Sequence, residues 1–210
     1  MSPAAARSAR RGVEGLLFAG GVLALSWCAE TVVRARLYQA TQARALEDRL
    51  GETDPARAAL AARARLDPAF VARLEIPRLG LAAIVREGDG PRVLTLAVGH
   101  VPGTSLPGEG GNVCLAAHRD GFFRGLGLLR AGDSVRLTTP AGTYAYRVDT
   151  ARVVGPNDVA VLLPTPRPTL TLVTCYPFAW IGPAPRRYVV TARPDGGPAR
   201  RAGAPRAAAL

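Results

Sequence analysis

From Gly15 to Ala29 the chain reads GLLFAGGVLALSWCA, with no charge, and Thr31, Val32 and Val33 carry the apolar run past Glu30. A helix needs about 20 apolar residues to cross a bilayer core, so residues 15–34 predict a short membrane anchor behind a basic segment, 1–14. A cleaved signal peptide has the same basic start and short apolar centre. Here WCAETVVRAR runs straight into a helical pattern without a small-residue cleavage site, and an uncleaved anchor is the expectation. Residues 35–67 are rich in Ala, Arg, Leu and Glu, with Leu37, Leu46, Leu50, Leu60 and Leu66 at roughly helical spacing and interruptions at Gly51 and Pro55. They predict a stalk or packing helix.

After Pro68 the texture changes to short apolar runs: VARLEI, LAAIV, VLTLAVG, NVCLAAH, SVRLTT, TYAYRVDTARVVG, LTLVTCY and RYVVTAR. Turn signals separate them, among them PRLG, GDGP, PGTSLPGEGG, RAGD and TPAG. Strands at this cadence predict a mainly β barrel or sandwich over 68–193. FFRGLGLL and NDVAVLLP read as short helical turns lying on it. Residues 194–210, rich in Pro, Gly, Ala and Arg, predict a disordered tail.

The 210 residues carry 27 basic and 16 acidic side chains, a formal charge of +11, and every basic residue is Arg. Such a balance raises nucleic-acid binding first. The charge is scattered, however, and part of it lies in the two tails, with no finger spacing or aromatic-basic stacking pattern, so no nucleic-acid partner is expected. An anionic membrane surface is the better electrostatic partner. Arg residues on both sides of the apolar segment leave its orientation open. Cys28, Cys114 and Cys175 are too few and too separated for a disulfide scaffold. Two histidines without clustered acidic partners offer no metal site, and no cofactor is expected.

Cys175 ends the β-rich run TLTLVTCYP, where a sheet holds a side chain yet leaves it exposed at the rim. His118 ends NVCLAAH, and Arg187 opens the last strand. Each residue taken alone reads as structural. Together they make chemical sense: a thiolate attacks a carbonyl, an imidazole shuttles a proton, and a guanidinium steadies oxyanion charge. His100 reads as structural or exposed, Asp120 as a turn residue, and Cys114 as a core thiol, a resting disulfide to Cys175 being its alternative.

Three stretches carry a family resemblance: LEIPRLGL at 74–81, GHVPGTSLPGEGGNVCLAAHRDGFF at 99–123, and LTLVTCYPFAWIGPAPRRYVV at 170–190. Their order, spacing and flanks resemble those of sortases, the cysteine transpeptidases of bacterial envelopes, and TCYPF followed by APRRYVV leans toward class D. The resemblance implies an eight-stranded β-barrel with short helices, behind a membrane anchor and stalk. It implies a triad of His118, Cys175 and Arg187. Strand alternation admits only one of Arg186 and Arg187 to the cleft face, and we take Arg187, which directly precedes Tyr-Val-Val. Ala117 stands where the family usually has Gly, so its methyl has to fit near the substrate.

By the same resemblance the stretch 155–168 covers the substrate groove. Val159, Val161, Leu162 and Leu163 are then candidates to line an apolar pocket, or else they only close the core; Thr174 joins the substrate-binding set. The implied reaction cleaves an LPxTG-like sorting signal after Thr, through a thioacyl-enzyme, and passes it to an amine on a cell-wall precursor or another protein. The catalytic domain then lies outside the cytoplasm. A cysteine hydrolase on the same scaffold, and a non-enzymatic membrane-tethered adaptor, are the alternatives.

Overall fold

The computed structural model describes residues 3–51, 66–196 and 200–201. The remaining parts of the predicted basic segment, stalk and tail lie outside the described residues. The chain divides into two compact units, Met1–Leu37 and Tyr38–Leu210.

Helix α1 runs from Pro3 to Gly51. Ala and Leu favour it, and no proline interrupts it after Pro3. Its apolar side chains between Val13 and Val33 are exposed, Leu16, Phe18, Leu23 and Trp27 among them. By length and composition this helix can cross a membrane.

In the second unit the last turns of α1 are part of the domain rather than a bare stalk. Leu46 and Ala45 are buried. Gln39 accepts a hydrogen bond from the Ile84 amide at 2.7 Å and donates one to the Leu96 carbonyl at 2.8 Å. Tyr38 donates to Asp67 at 2.9 Å, and Asp67 pairs with Arg86 at 3.1 Å. Truncating a buried leucine costs about 2–5 kcal/mol. We therefore expect Leu46→Ala to lower the thermal midpoint by roughly 5–10 °C; a shift under about 2 °C would show that the docking contributes nothing.

Eight strands build the barrel: β1 (Phe70–Ile76), β2 (Leu81–Glu87), β3 (Val98–His100), β4 (Asn112–Ala116), β5 (Ser134–Thr139), β6 (Gly142–Val154), β7 (Thr169–Tyr176) and β8 (Arg186–Pro194). Their order is β5-β1-β2-β3-β4-β7-β8-β6, and a β5–β6 pairing closes the ring. The β2–β3 and β4–β7 pairs are parallel; the other neighbours are antiparallel. Alternation along each strand sends one set of side chains inward. Leu74, Ile76, Val113, Leu115, Phe123, Leu137, Leu170, Leu172 and Val190 fill the interior.

Two sequence expectations change. The stretch assigned to a disordered tail contributes a two-residue strand, β9 (Arg200–Arg201), paired with Gly142 and Thr143 at the edge of β6. The run VLTLAVG, expected as one strand, splits into a short helix, α2 (Pro91–Leu96), and β3. Pro91 stands at the helix start, where its fixed φ suits the first turn, and this outweighs the β preference of Val93 and Thr95. The two expected helical turns are present as 3-10 turns at Leu126–Leu128 and Val159–Leu162.

Candidate active site

Strands β4, β7 and β8 are neighbours, and their interior residues fix which side chains face outward. Val113 and Leu115 of β4, Leu170 and Leu172 of β7, and Val190 and Ala192 of β8 belong to the core. The intervening residues therefore share the outer face: Cys114 and Ala116, Val173 and Cys175, Arg187 and Val189. Cys175 stands directly opposite Arg187 in the antiparallel register, while Tyr176 stands opposite Arg186. Cross-strand partners project to the same side, so Cys175 and Arg187 share a face. Arg187 is half-buried and Arg186 exposed.

His118 follows β4 by two residues, and the backbone there is tied to β7. The Ala117 amide donates to the Val173 carbonyl at 3.3 Å, and the Thr174 hydroxyl donates to the Ala117 carbonyl at 2.7 Å. His118 itself is exposed. A groove of about 330 Å³ brings His118, Cys175 and Arg187 together. Ala116 and Val173 lie along its strand floor, and Asp89, Leu94, Val101 and Leu162 border it. Arg187 uses Nη1 to donate to the carbonyls of Ala184 at 3.2 Å and Arg186 at 3.0 Å. These bonds orient the guanidinium, and among the described residues Nε and Nη2 have no protein acceptor.

The substrate-binding candidates separate. Leu162 borders the groove. Val161 is buried, while Val159 and Leu163 are exposed. Thr174 is buried, and its hydroxyl is committed to the Ala117 carbonyl. Ala117 borders the groove but also packs into the core, 5% exposed, so the methyl that departs from Gly is accommodated there.

Cys114 is buried beneath the 3-10 turn at Val159–Leu162, and burial pushes its thiol up to about 11. All three cysteines are free. Cys114 pairs in register with Thr171, four residues along β7 from Cys175, or about 13 Å at strand rise. A Cys114–Cys175 disulfide is therefore out of reach in this fold. His100 is buried, its Nδ1 2.7 Å from a Glu87 carboxylate oxygen and its Nε2 3.0 Å from the Ser105 carbonyl. It is structural, and it anchors the loop before β4.

Sequence reasoning missed Asp89 and Leu94. Both reach the groove from the turn before α2 and from α2 itself, through packing that involves no local motif. It also missed Arg119, whose Nη2 donates to the Gly182 carbonyl at 2.9 Å and ties the His118 loop to the segment between β7 and β8.

The family model for the Sortase domain matches residues 74–195. The chain is similar to Sortase D of Bacillus subtilis (strain 168), with 36% identity over 118 residues that cover 56% of this chain and 60% of that protein. It thus spans less than two thirds of that relative's length. Among solved structures it is similar to a Clostridium perfringens Sortase D5 transpeptidase at 25% identity and a TM-score of 0.61, covering 75% of this chain and 99% of that one. It is also similar to a mutant form of sortase E from Streptomyces avermitilis at 34% identity and a TM-score of 0.56, covering 65% of this chain and 95% of that one.

Proposed function

This chain belongs to the sortase family, and from that membership we propose that it is a membrane-anchored cysteine transpeptidase acting on LPxTG-like sorting signals. The observation that carries the reading is the shared groove of His118, Cys175 and Arg187, with Cys175 opposite Arg187 in the sheet. In the first half-reaction the Cys175 thiolate attacks the carbonyl carbon after Thr, forming a C–S bond and a tetrahedral oxyanion. Arg187 donates to that oxyanion through its unoccupied nitrogens. His118 gives a proton to the departing amine as the C–N bond breaks, which leaves a thioester on Cys175.

In the second half-reaction an incoming amine attacks the thioester, His118 takes its proton, and Cys175 departs as the thiolate. Two half-reactions let an amine replace water as the acceptor. The apolar part of α1 serves as the anchor, and the barrel acts on the extracytoplasmic side of the membrane. The acceptor is an amine of a cell-wall precursor or of another protein.

The test is partition between amine and water. The full chain in detergent, given an LPxTG-type peptide and rising concentrations of a small primary amine, is expected to yield ligated product at the expense of hydrolysed product. Product that stays hydrolysed at every amine concentration would assign the scaffold to a cysteine hydrolase instead.

A further inference from the structure

We propose that Asn112 is a positioning residue for substrate recognition: it fastens the turn Val159–Leu162 to the barrel wall and so fixes Leu162 at the edge of the groove. The inference rests on the functional reading above and names a residue which that reading does not use.

Asn112 opens β4 and is buried, 3% exposed. Its amide nitrogen donates to the Val161 carbonyl at 3.0 Å and to the Leu163 carbonyl at 3.1 Å. Its carbonyl oxygen accepts from the Thr171 hydroxyl at 2.7 Å. Thr171 is itself buried on β7, the strand that ends in Cys175. The two carbonyls flank Leu162, the one residue of the turn that borders the groove.

A short helical turn leaves its last carbonyls without partners of its own, and buried carbonyls need donors. Only a primary amide supplies two donors to the carbonyls and one acceptor to the hydroxyl from the same planar group. The chemistry also fixes which end of the amide faces the turn, since both partners there are acceptors. Asp at this position would set a carboxylate against two carbonyl oxygens. Ala would remove the amide donors from both carbonyls and leave the buried Val161 carbonyl only the weak Cys114 thiol donor at 4.0 Å. The linkage connects the wall of the groove to the strands that carry Cys175 and lead to His118, without touching either side chain.

The test uses the full chain in detergent with three variants, Asn112→Asp, Asn112→Ala and Thr171→Val. Two readouts are followed: amide hydrogen exchange across 156–165 against exchange in β4 and β7, and KM and kcat for an LPxTG-type peptide. Losing buried hydrogen bonds of this kind is expected to speed exchange in 156–165 by about tenfold in the Asn112 variants, and by about threefold in Thr171→Val. KM is expected to rise about tenfold with Asn112→Asp while kcat changes less than about threefold. The rate at which iodoacetamide alkylates Cys175 is expected to stay within about twofold of the unmodified chain.

Unchanged exchange in 156–165 overturns the proposal, as does a fall in kcat at constant KM. If Asn112→Asp and Asn112→Ala do not fold, Thr171→Val, which removes the bond that holds the Asn112 amide toward the turn, decides by the same criteria. An unmodified chain that forms no acyl adduct with any sorting peptide overturns the functional reading instead; that result appears before any variant is made, and the exchange data still judge the fastening.

Discussion

Arg187→Ala is expected to lower kcat/KM for a sorting peptide by about 10²–10³, the loss typical of removing one donor to a developing oxyanion. Arg186→Ala, one residue away, is expected to stay within about threefold of the unmodified chain, as exposed substitutions usually do. The contrast follows from register alone. Arg187 pairs with Cys175, whereas Arg186 pairs with Tyr176 and is exposed. In an antiparallel pair the side chains of opposed residues lie about 5 Å apart at Cβ on one face, within reach of a carbonyl under attack at Cys175.

The two arginines have the same charge and adjacent places in the chain. A purely electrostatic account predicts similar losses for both, and a geometric account predicts a large loss for one. Equal effects, or a larger loss with Arg186→Ala, would remove Arg187 from the mechanism. Arg187→Lys sharpens the comparison, because it keeps the charge but loses the planar fork that Ala184 and Arg186 hold in place.

Gly99→Ala is expected to be the most damaging single methyl in the barrel. A Cβ there would lie 2.3 Å from the Gly88 carbonyl oxygen, 2.8 Å from Leu94 Cδ2 and 3.2 Å from Asp89 Cα. Two of these three atoms belong to backbone, so a rotamer change cannot relieve the contact. The Gly88 amide meanwhile donates to the His100 carbonyl at 2.9 Å, and Gly88 has φ +101°, a region that side chains other than glycine avoid. The turn cannot retreat without breaking that bond.

Inserting a methyl into packed structure costs about 1–3 kcal/mol, occasionally more, and this site is at the upper end because backbone must move. We expect a fall in thermal midpoint of roughly 10 °C. Asp89 and Leu94 border the groove, so a rise in KM of about tenfold should accompany it. An unchanged midpoint with unchanged kinetics would show that the groove wall is softer than the close approach of these glycines implies.

Much of the barrel was legible because its strands announce themselves. Runs such as LTLVTCY and RYVVTAR are β-branched, short, and bounded by Pro and Gly, so local preference and final structure agree. That His118, Cys175 and Arg187 would meet in one groove was legible for the same reason: they stand at or near strand ends, where a linear reading can place them. What escaped was non-local. Leu94 lies in a stretch with strand-like composition that Pro91 starts as a helix, and its approach to the groove depends on two glycines eleven positions apart.

In the sequence Asn112 is only the opening residue of the run NVCLAAH; its two carbonyl partners come from a loop about fifty residues later. The sequence left a stalk and a packing helix both open for the end of α1, because Ala45 and Leu46 fit either, and the contacts of Leu46 and Gln39 decide for packing. Among the groove candidates, composition could not tell Leu162 from Val159 or Leu163. Alternation of direction within a single turn decides which side chain faces the cleft.

If Cys175 forms the acyl-enzyme, intact mass spectrometry will detect the adduct. The full chain in detergent is incubated with an LPxTG-type peptide and quenched in acid, and the modified residue is then located by peptide mapping. The expected result is a mass increase equal to the peptide cut after Thr, located on Cys175, absent in Cys175→Ala, and strongly reduced in His118→Ala. An adduct that persists in Cys175→Ala, or that maps to Cys114 or Cys28, would contradict it.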